Sequence, residues 1–353
     1  MPPPAPSVHS RIARLLPRRA PNGERRMRPL PPRIIADRFV PRTSPATAAA
    51  IVIVLGTSLA AGNAGAREPI DFPSPFDTVS VPILTGAMVH FHADSAGRYA
   101  PEGFTAEDGG RIVRTAAMLP EPHLPCRVHA LITLRPTPKN DREVWDRWDR
   151  AGNIRLVAEG TPDLEIVRFV TSYGGRTEHE VDVSDLAPLL TGRRDIRAFI
   201  DTWTSPGWRV DFSLRYEPDT TYDAPAWVLP VLYTDSFNRR DNGGGMETRV
   251  EVPQGLARTV LRYFSTGHCT DGRDEDEFVS KANVISVDGV AVARVHPWRD
   301  DCRRFRDRNP YCARWTDGSW SSDYSRSGWC PGVEVLPMEF DLSDHLTPGP
   351  HTI

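Results

Sequence analysis

From residue 67 onward, short stretches in which apolar and polar residues alternate are separated by Pro, Gly, Asp and Asn. Val210, Phe212, Leu214 and Tyr216 interleave with Arg209, Asp211, Ser213 and Arg215, the period of a strand with one buried face. Val128, Ala130, Ile132 and Leu134 follow the same rule. Residues 284–287 and 290–295 flank Asp288-Gly289, which predicts a hairpin with a two-residue turn in which Gly supplies positive φ. Residues 228–233, 249–252 and 258–264 are further strand candidates. Helical periodicity is scarce, and Pro188 limits residues 185–190 to little more than one turn. Many short strands with frequent turn signals predict an all-β fold of the sandwich or jelly-roll kind. Glu217 to Pro225 reads as a linker, which divides the chain into one β domain over 67–222 and a second over 226–353. Thr347-Pro348-Gly349-Pro350 should launch a strand, yet only His351-Thr352-Ile353 follow. A sandwich strand usually needs about five or six residues, so the second domain is expected to be incomplete at its C-terminus.

Residues 1–66 have a different character. Residues 1–47 hold ten Arg, eleven Pro and two acids, a net charge of +8. The run AAAIVIVLGTSLAA follows at 48–61, and Ala64-Gly65-Ala66 precedes the next charge at Arg67. A positive flank, a short apolar run and an A-x-A end read as a secretory signal cleaved after Ala66, for a secreted or periplasmic protein. The alternative, a membrane anchor, calls for about 20 apolar residues, and this run is shorter and interrupted. With no second long apolar stretch, no stable membrane insertion is expected after cleavage. Of the total charge of −3, the share of residues 67–353 is −11. An acidic body argues against nucleic acid as a partner, because phosphate binding needs a basic face.

The common catalytic signatures are missing: no GxSxG, HExxH, phosphate-binding loop, dinucleotide fingerprint or CxxC occurs. His90-Phe91-His92 would place two rings on one side of a strand, as a metal pair requires, but no third ligand is identifiable; two polar residues on a solvated face is the plainer reading. No metal or cofactor is therefore expected. The charge run Asp271 to Glu277 fails calcium-loop spacing and reads as a solvated loop.

All nine Trp lie between 145 and 329. Trp145-Asp146-Arg147-Trp148-Asp149-Arg150 interleaves indoles, carboxylates and guanidinia, Asp201-Thr202-Trp203 ends a strand-like run, and Arg326-Ser327-Gly328-Trp329 repeats the theme. Aromatic faces flanked by charges suit a hydroxyl-rich ligand such as a sugar. Core anchoring with surface ion pairs is the alternative for any single Trp.

These segments, with E-I-V-R-F-V-T, E-V-D-V-S-D-L-A-P-L-L-T-G, V-D-F-S-L-R-Y, Y-F-S-T-G-H at 263–268 and V-I-S-V-D-G at 284–289, resemble the peptide-N-glycosidase F family across most of 120–345. The resemblance implies two adjacent antiparallel jelly rolls with a cleft at their interface. It also implies a metal-free amidase that releases N-glycans from asparagine, so that N-glycosylated peptides or proteins would be its partners. By this resemblance Asp149 falls on the principal catalytic aspartate, Glu277 on a second essential glutamate, and Asp201 on a glutamate that supports substrate binding. Arg326 and Trp329 match an arginine and a tryptophan of the W-C-P-G segment. Cys330 matches a disulfide cysteine, with Cys302 as its expected partner. Arg150 and Arg326 are expected to neutralise an oxyanion or orient the sugar's acetamido group, and Trp148, Trp203 and Trp329 to contact the sugar. Asp201 is one methylene shorter than the family's glutamate, and the family's cysteines that bracket Glu277 are absent. Those departures leave a glycan-binding protein without turnover as a second reading. A copper-dependent monooxygenase of the same fold, built on His90 and His92, is a third.

Overall fold

The computed structural model describes residues 47–55 (backbone only), 77–92, 103–157, 160–237, 245–268 and 276–353. The remaining parts of the leader, its cleavage site after Ala66, Cys269 and most of the acidic run 271–277 lie outside the described residues.

The described chain is built from strands joined by loops and short 3-10 turns, and every strand pairing is antiparallel. Apart from a two-stranded pair of β6 (Pro138–Asn140) with β7 (Glu143–Val144), the first half is a sandwich of two sheets. One contains β2 (Val79–Val89), β5 (Cys126–Pro136), β10 (Thr177–Asp182) and β12 (Trp208–Pro218), in the order β10-β5-β12-β2. The other contains β3 (Thr105–Glu107), β4 (Ile112–Leu119), β8 (Ala151–Val157), β9 (Leu164–Val170) and β11 (Gly192–Ile200). The alternation expected for β12 and β5 is present: Trp208, Val210, Phe212, Leu214 and Tyr216 are buried, and so are Val128, Ala130, Ile132 and Leu134. These residues meet Val113, Ile154, Ile196 and Ala198 of the facing sheet in one core, the arrangement of a jelly roll. Tyr216 buries its ring and donates its hydroxyl to Leu190 O at 2.8 Å, so the polar tip is not stranded.

In the second half, β13 (Trp227–Thr234), β1 (Thr47–Leu55), β15 (Thr259–Gly267) and β19 (Met338–Asp341) form a sheet in that order. β14 (Arg249–Val252) pairs with β20 (Gly349–Thr352). β16 (Asn283–Val287) and β17 (Val290–Val295) form the expected hairpin, with Asp288 and Gly289 at φ 49° and 79° in its turn. The apolar segment that reads as the core of a leader is thus a strand here, hydrogen-bonded to β13 on one side and β15 on the other.

The two halves are joined through β9. Its residues are all buried, because one face lines the first core and the other meets the second half. β18 (Val333–Val335), from the C-terminal half, adds to the sheet of the first half by pairing with β9. Val170, Phe264, Trp329 and Val335 pack as one cluster across this junction. Arg168 and Glu165 are buried there as an ion pair at 2.6 Å, with Arg168 also donating to Thr266 at 3.3 Å. Because β9 is covered on both sides, the ends of β8, β9 and β11 are held against the loops of the C-terminal half, and the candidate site lies at that end.

Candidate active site at the junction of the two halves

Asp149 precedes β8, and its neighbours are fastened on both sides. Thr171, just past β9, donates its amide to Arg150 O at 2.8 Å, accepts the Arg150 amide on Oγ1 at 2.8 Å, and donates that hydroxyl to Trp148 O at 3.1 Å. Asp146 fixes the loop from below. Its carboxylate is fully buried and accepts from the Trp148 amide (3.2 Å), Arg150 Nε (3.0 Å) and Thr202 Oγ1 (2.6 Å). The last bond ties the loop of Asp149 to the loop of Asp201 and Trp203. Tyr173 is set by the C-terminal half: Asn309 Oδ1 accepts its amide at 2.9 Å and its carbonyl accepts from Tyr311 N at 3.1 Å.

Arg326 reaches this pocket from the C-terminal half and is 1 % exposed. Its Nε donates to Glu277 Oε1 at 2.9 Å, Nη1 to Tyr324 O at 2.9 Å, and Nη2 to Ser321 O at 2.7 Å and Tyr173 Oη at 3.4 Å. Asp149 Oδ2 lies 3.7 Å from Nη2, is enclosed, and has no hydrogen-bond partner among the described residues. One guanidinium therefore stands between two carboxylates from opposite halves of the chain. Ser327 donates its amide to Glu277 O at 2.8 Å, which registers the Glu277 segment against the segment that carries Arg326.

The electrostatics follow from burial. Desolvation raises the Asp149 carboxyl above its ordinary range, against the pull of Arg326 and the nearby Tyr173 hydroxyl. Glu277 is pushed up to about 7 by desolvation first and by the Asp149 charge second, with Arg326 opposing. Burial and Asp149 also raise the Tyr173 phenol, which stays protonated. His268, stacked on Trp329 at 5.2 Å, is held down at about 4 by burial and by Arg168 and Arg326, so it is neutral.

Asp149, Glu277 and Arg326 thus come together. Asp201 does not share their guanidinium: its Oδ1 accepts from Arg111 Nη1 at 2.9 Å. It stands at the neighbouring strand end, donating its amide to Ala151 O at 2.9 Å, two residues beyond Asp149. Trp148 and Trp203 are 49 % and 55 % exposed, as a sugar-contacting role requires. Trp329 does not meet that expectation. It is 2 % exposed, donates Nε1 to Gly267 O at 2.7 Å, and backs Arg326 at 4.9 Å. It is a core anchor. Arg150 likewise spends its guanidinium on Asp146, and Arg326 faces carboxylates, so neither stands free as the oxyanion clamp expected of it. Cys302 and Cys330 are bonded, with Cα atoms 5.1 Å apart, which fastens the W-C-P-G segment beside the site.

The two histidines follow β2 and do not share a solvated strand face. His90 is buried, lies within 3.4 Å of Ser205 Oγ and packs on Gly110, whereas His92 is exposed. Among the described residues no three His, Cys, Asp or Glu side chains come together to hold a metal ion. Asp146 and Tyr173 were not singled out as site residues by sequence reasoning. Asp146 was visible only as a member of the Trp-Asp-Arg motif, and Tyr173 carries no local signal.

The chain is an all-β protein of jelly-roll type with a buried acid–arginine–acid cluster where its two halves meet. The family models for the N-terminal and C-terminal parts of peptide-N-glycosidase F match residues 153–216 and 233–353, and the chain belongs to that family. It is 26 % identical over 251 residues to peptide-N(4)-(N-acetyl-beta-D-glucosaminyl)asparagine amidase F of Elizabethkingia miricola, which covers 64 % of this chain and 67 % of that protein. The fold is similar to that of PNGF-II, with a TM-score of 0.70 and 24 % identity over 78 % of this chain and 60 % of that one. It is also similar to that of PNGase F, a glycosylasparaginase from Flavobacterium meningosepticum, with a TM-score of 0.58 and 20 % identity over 78 % of this chain and 87 % of that one. The chain thus spans 60 % of the PNGF-II chain it matches.

Proposed function

We propose that this protein hydrolyses the amide joining an asparagine side chain to N-acetylglucosamine in N-glycosylated peptides or proteins, releasing the glycan and leaving aspartate. The observation that carries this reading is the pair Asp149 and Glu277 on one buried Arg326. Amide hydrolysis needs a base for water, an acid for the leaving nitrogen and a donor for the oxyanion. Burial first and the Asp149 charge second raise Glu277, which keeps its proton to about 7 beside an ionised Asp149. Asp149 then takes the proton of the attacking water. Glu277 gives its proton to the departing amine, and the protonated Tyr173 hydroxyl, beside Arg326 and Asp149, is a neutral donor available for the oxyanion. Arg326 acts as a fixed charge that lets two acids be buried together. Trp148 and Trp203 supply exposed indole faces for the sugar, and Asp201 an acceptor for its polar edge. The amide is not a glycosidic bond, so carboxylate spacing rules for sugar hydrolysis do not apply.

A glycan-binding protein without turnover is the second reading, favoured by the engagement of Asp201 with Arg111. Incubation with an N-glycopeptide followed by peptide mass spectrometry separates the two. Conversion of the glycosylated Asn to Asp by the wild type, abolished in a folded Asp149→Asn variant, supports the amidase. Retained glycopeptide binding with no mass change supports the binder, and activity in Asp149→Asn removes its assigned role. Export, with cleavage after Ala66, belongs to the same proposal. Among the described residues no helix is long and apolar enough to cross a membrane.

A further inference from the structure

We infer that Arg111 is a positioning residue for substrate recognition, holding the Trp203 indole and the Asp201 carboxylate as one rigid platform beside Asp149; the inference rests on the amidase reading and extends it.

The placement begins with the local sequence Asp108-Gly109-Gly110-Arg111. Asp108, Gly109 and Gly110 have φ of 50°, 65° and 99°, a tight turn that two glycines permit. A Cβ on Gly109 would stand 2.9 Å from the Phe91 ring, and one on Gly110 2.6 Å from His90 Nε2. The bare backbone therefore lets residues 90–92 lie against the turn, with His90 N to Gly110 O at 3.1 Å and His92 N to Gly109 O at 2.9 Å. On its other side the same segment bonds the Trp203 loop through Phe91 N to Thr204 O at 2.8 Å. Phe91 and Trp203 consequently meet edge to face, centroids 5.0 Å apart. The Arg111 guanidinium sits in their corner, 4.9 Å from the Phe91 ring and 4.5 Å from the Trp203 ring.

The same guanidinium bridges two carboxylates, Nη2 to Asp108 Oδ1 and Nη1 to Asp201 Oδ1, both at 2.9 Å. Planar geometry allows stacking and two-sided hydrogen bonding at once, which an ammonium group cannot do. Trp203 is half-exposed and Asp201 partly so, while Arg111 beneath them is mostly covered. An indole face next to a carboxylate with one oxygen already fixed is suited to a sugar ring that stacks its C–H face and donates a hydroxyl or acetamido N–H to Asp201 Oδ2. The platform is also tied to the chemistry, because the Asp201 amide bonds Ala151 O and Thr202 bonds Asp146. Arg111 thereby sets the reach of the shorter Asp201 side chain.

The test uses the full chain with Arg111→Lys, Trp203→Ala, the double variant, and Asp108→Asn on the exposed turn. For glycan release from an N-glycopeptide, KM should rise on the order of tenfold in Arg111→Lys with kcat changed less than about twofold, a loss of uniform binding. The double variant should be little worse than either single one, since both disrupt one platform. Asp108→Asn, which leaves Arg111 in place with one anchor weakened, should raise KM by about twofold to threefold, and it carries the test if Arg111→Lys fails to fold. An unchanged KM in the folded variants, a fall in kcat alone, or fully multiplicative effects would overturn the inference. Quenching of tryptophan fluorescence by di-N-acetylchitobiose keeps it separate from the amidase reading. If the wild type releases no glycan but binds the disaccharide, weaker binding by Arg111→Lys still supports the platform. Equal binding, or none by the wild type, overturns it.

Discussion

Replacing Glu277 by Gln removes one titrating carboxyl while keeping its shape, and the consequence can be worked out from the pocket. In the folded protein Glu277 is raised from 4.5 to about 7. Below pH 4.5 both folded and unfolded chains hold the proton; between 4.5 and 7 only the folded chain does. Stability from this group is therefore full below the lower value and is lost as pH rises through the upper one. At about 1.4 kcal/mol for each tenfold change in proton affinity, the loss is on the order of 3 kcal/mol. Other groups act in the same window, notably His268, which is held at about 4 and works in the opposite sense. The difference between variant and wild type isolates Glu277. Urea unfolding at several pH values from 5 to 8 is the assay. The wild type should lose stability relative to Glu277→Gln as pH rises, and Asp149→Asn should move the transition to lower pH, because the Asp149 charge helps to raise Glu277. A wild type and a Glu277→Gln variant with parallel pH profiles would refute the reasoning, for Glu277 would then titrate as an ordinary surface acid.

Asp146→Asn strips the charge from the carboxylate that holds Arg150 and Thr202, and should cost about 2–3 kcal/mol in unfolding with a matching loss of activity; an unchanged melting curve would show the bonds to be incidental. Replacing Cys302 and Cys330 by Ser opens a link between residues 28 apart and should cost about 2–4 kcal/mol, read by thermal unfolding with and without reductant. N-terminal sequencing of the exported protein should find Arg67 first. Retention of Thr47–Leu55 would instead make that segment a resident strand of the sheet with β13 and β15.

What could be read from the chain and what could not has a physical explanation. Strands β5 and β12 were legible because each has one face toward a core, which writes a period of two into the side chains, and hairpin β16–β17 because Asp288-Gly289 marks its turn. β9 was not, since burial on both faces erases the alternation and a paired Glu165–Arg168 sits where apolar residues would be expected. At the site, the Trp-Asp-Arg motif marked the correct loop. It could not tell Trp148 from Trp329, each near an arginine, though one is half-exposed and the other is a core anchor. Exposure is decided by the opposing strand. Tyr173 and Asp146 act through contacts with residues far along the chain, Arg326 and Thr202, and no local pattern announces such partners. Arg111 is similar: its position depends on a double-glycine turn meeting Phe91 and His90 across the sheet end.

The central claim is that water, activated at Asp149 and with Glu277 supplying the leaving-group proton, attacks the carbonyl carbon of the glycosylated asparagine side chain. Single-turnover digestion of an N-glycopeptide in water enriched in heavy oxygen tests it most directly. The account predicts heavy oxygen in the side-chain carboxylate of the new aspartate, with both Asp149→Asn and Glu277→Gln failing to produce it. Heavy oxygen in the sugar with an N-acetylglucosamine or asparagine left on the peptide, or an unaltered peptide from a folded wild type, would contradict it.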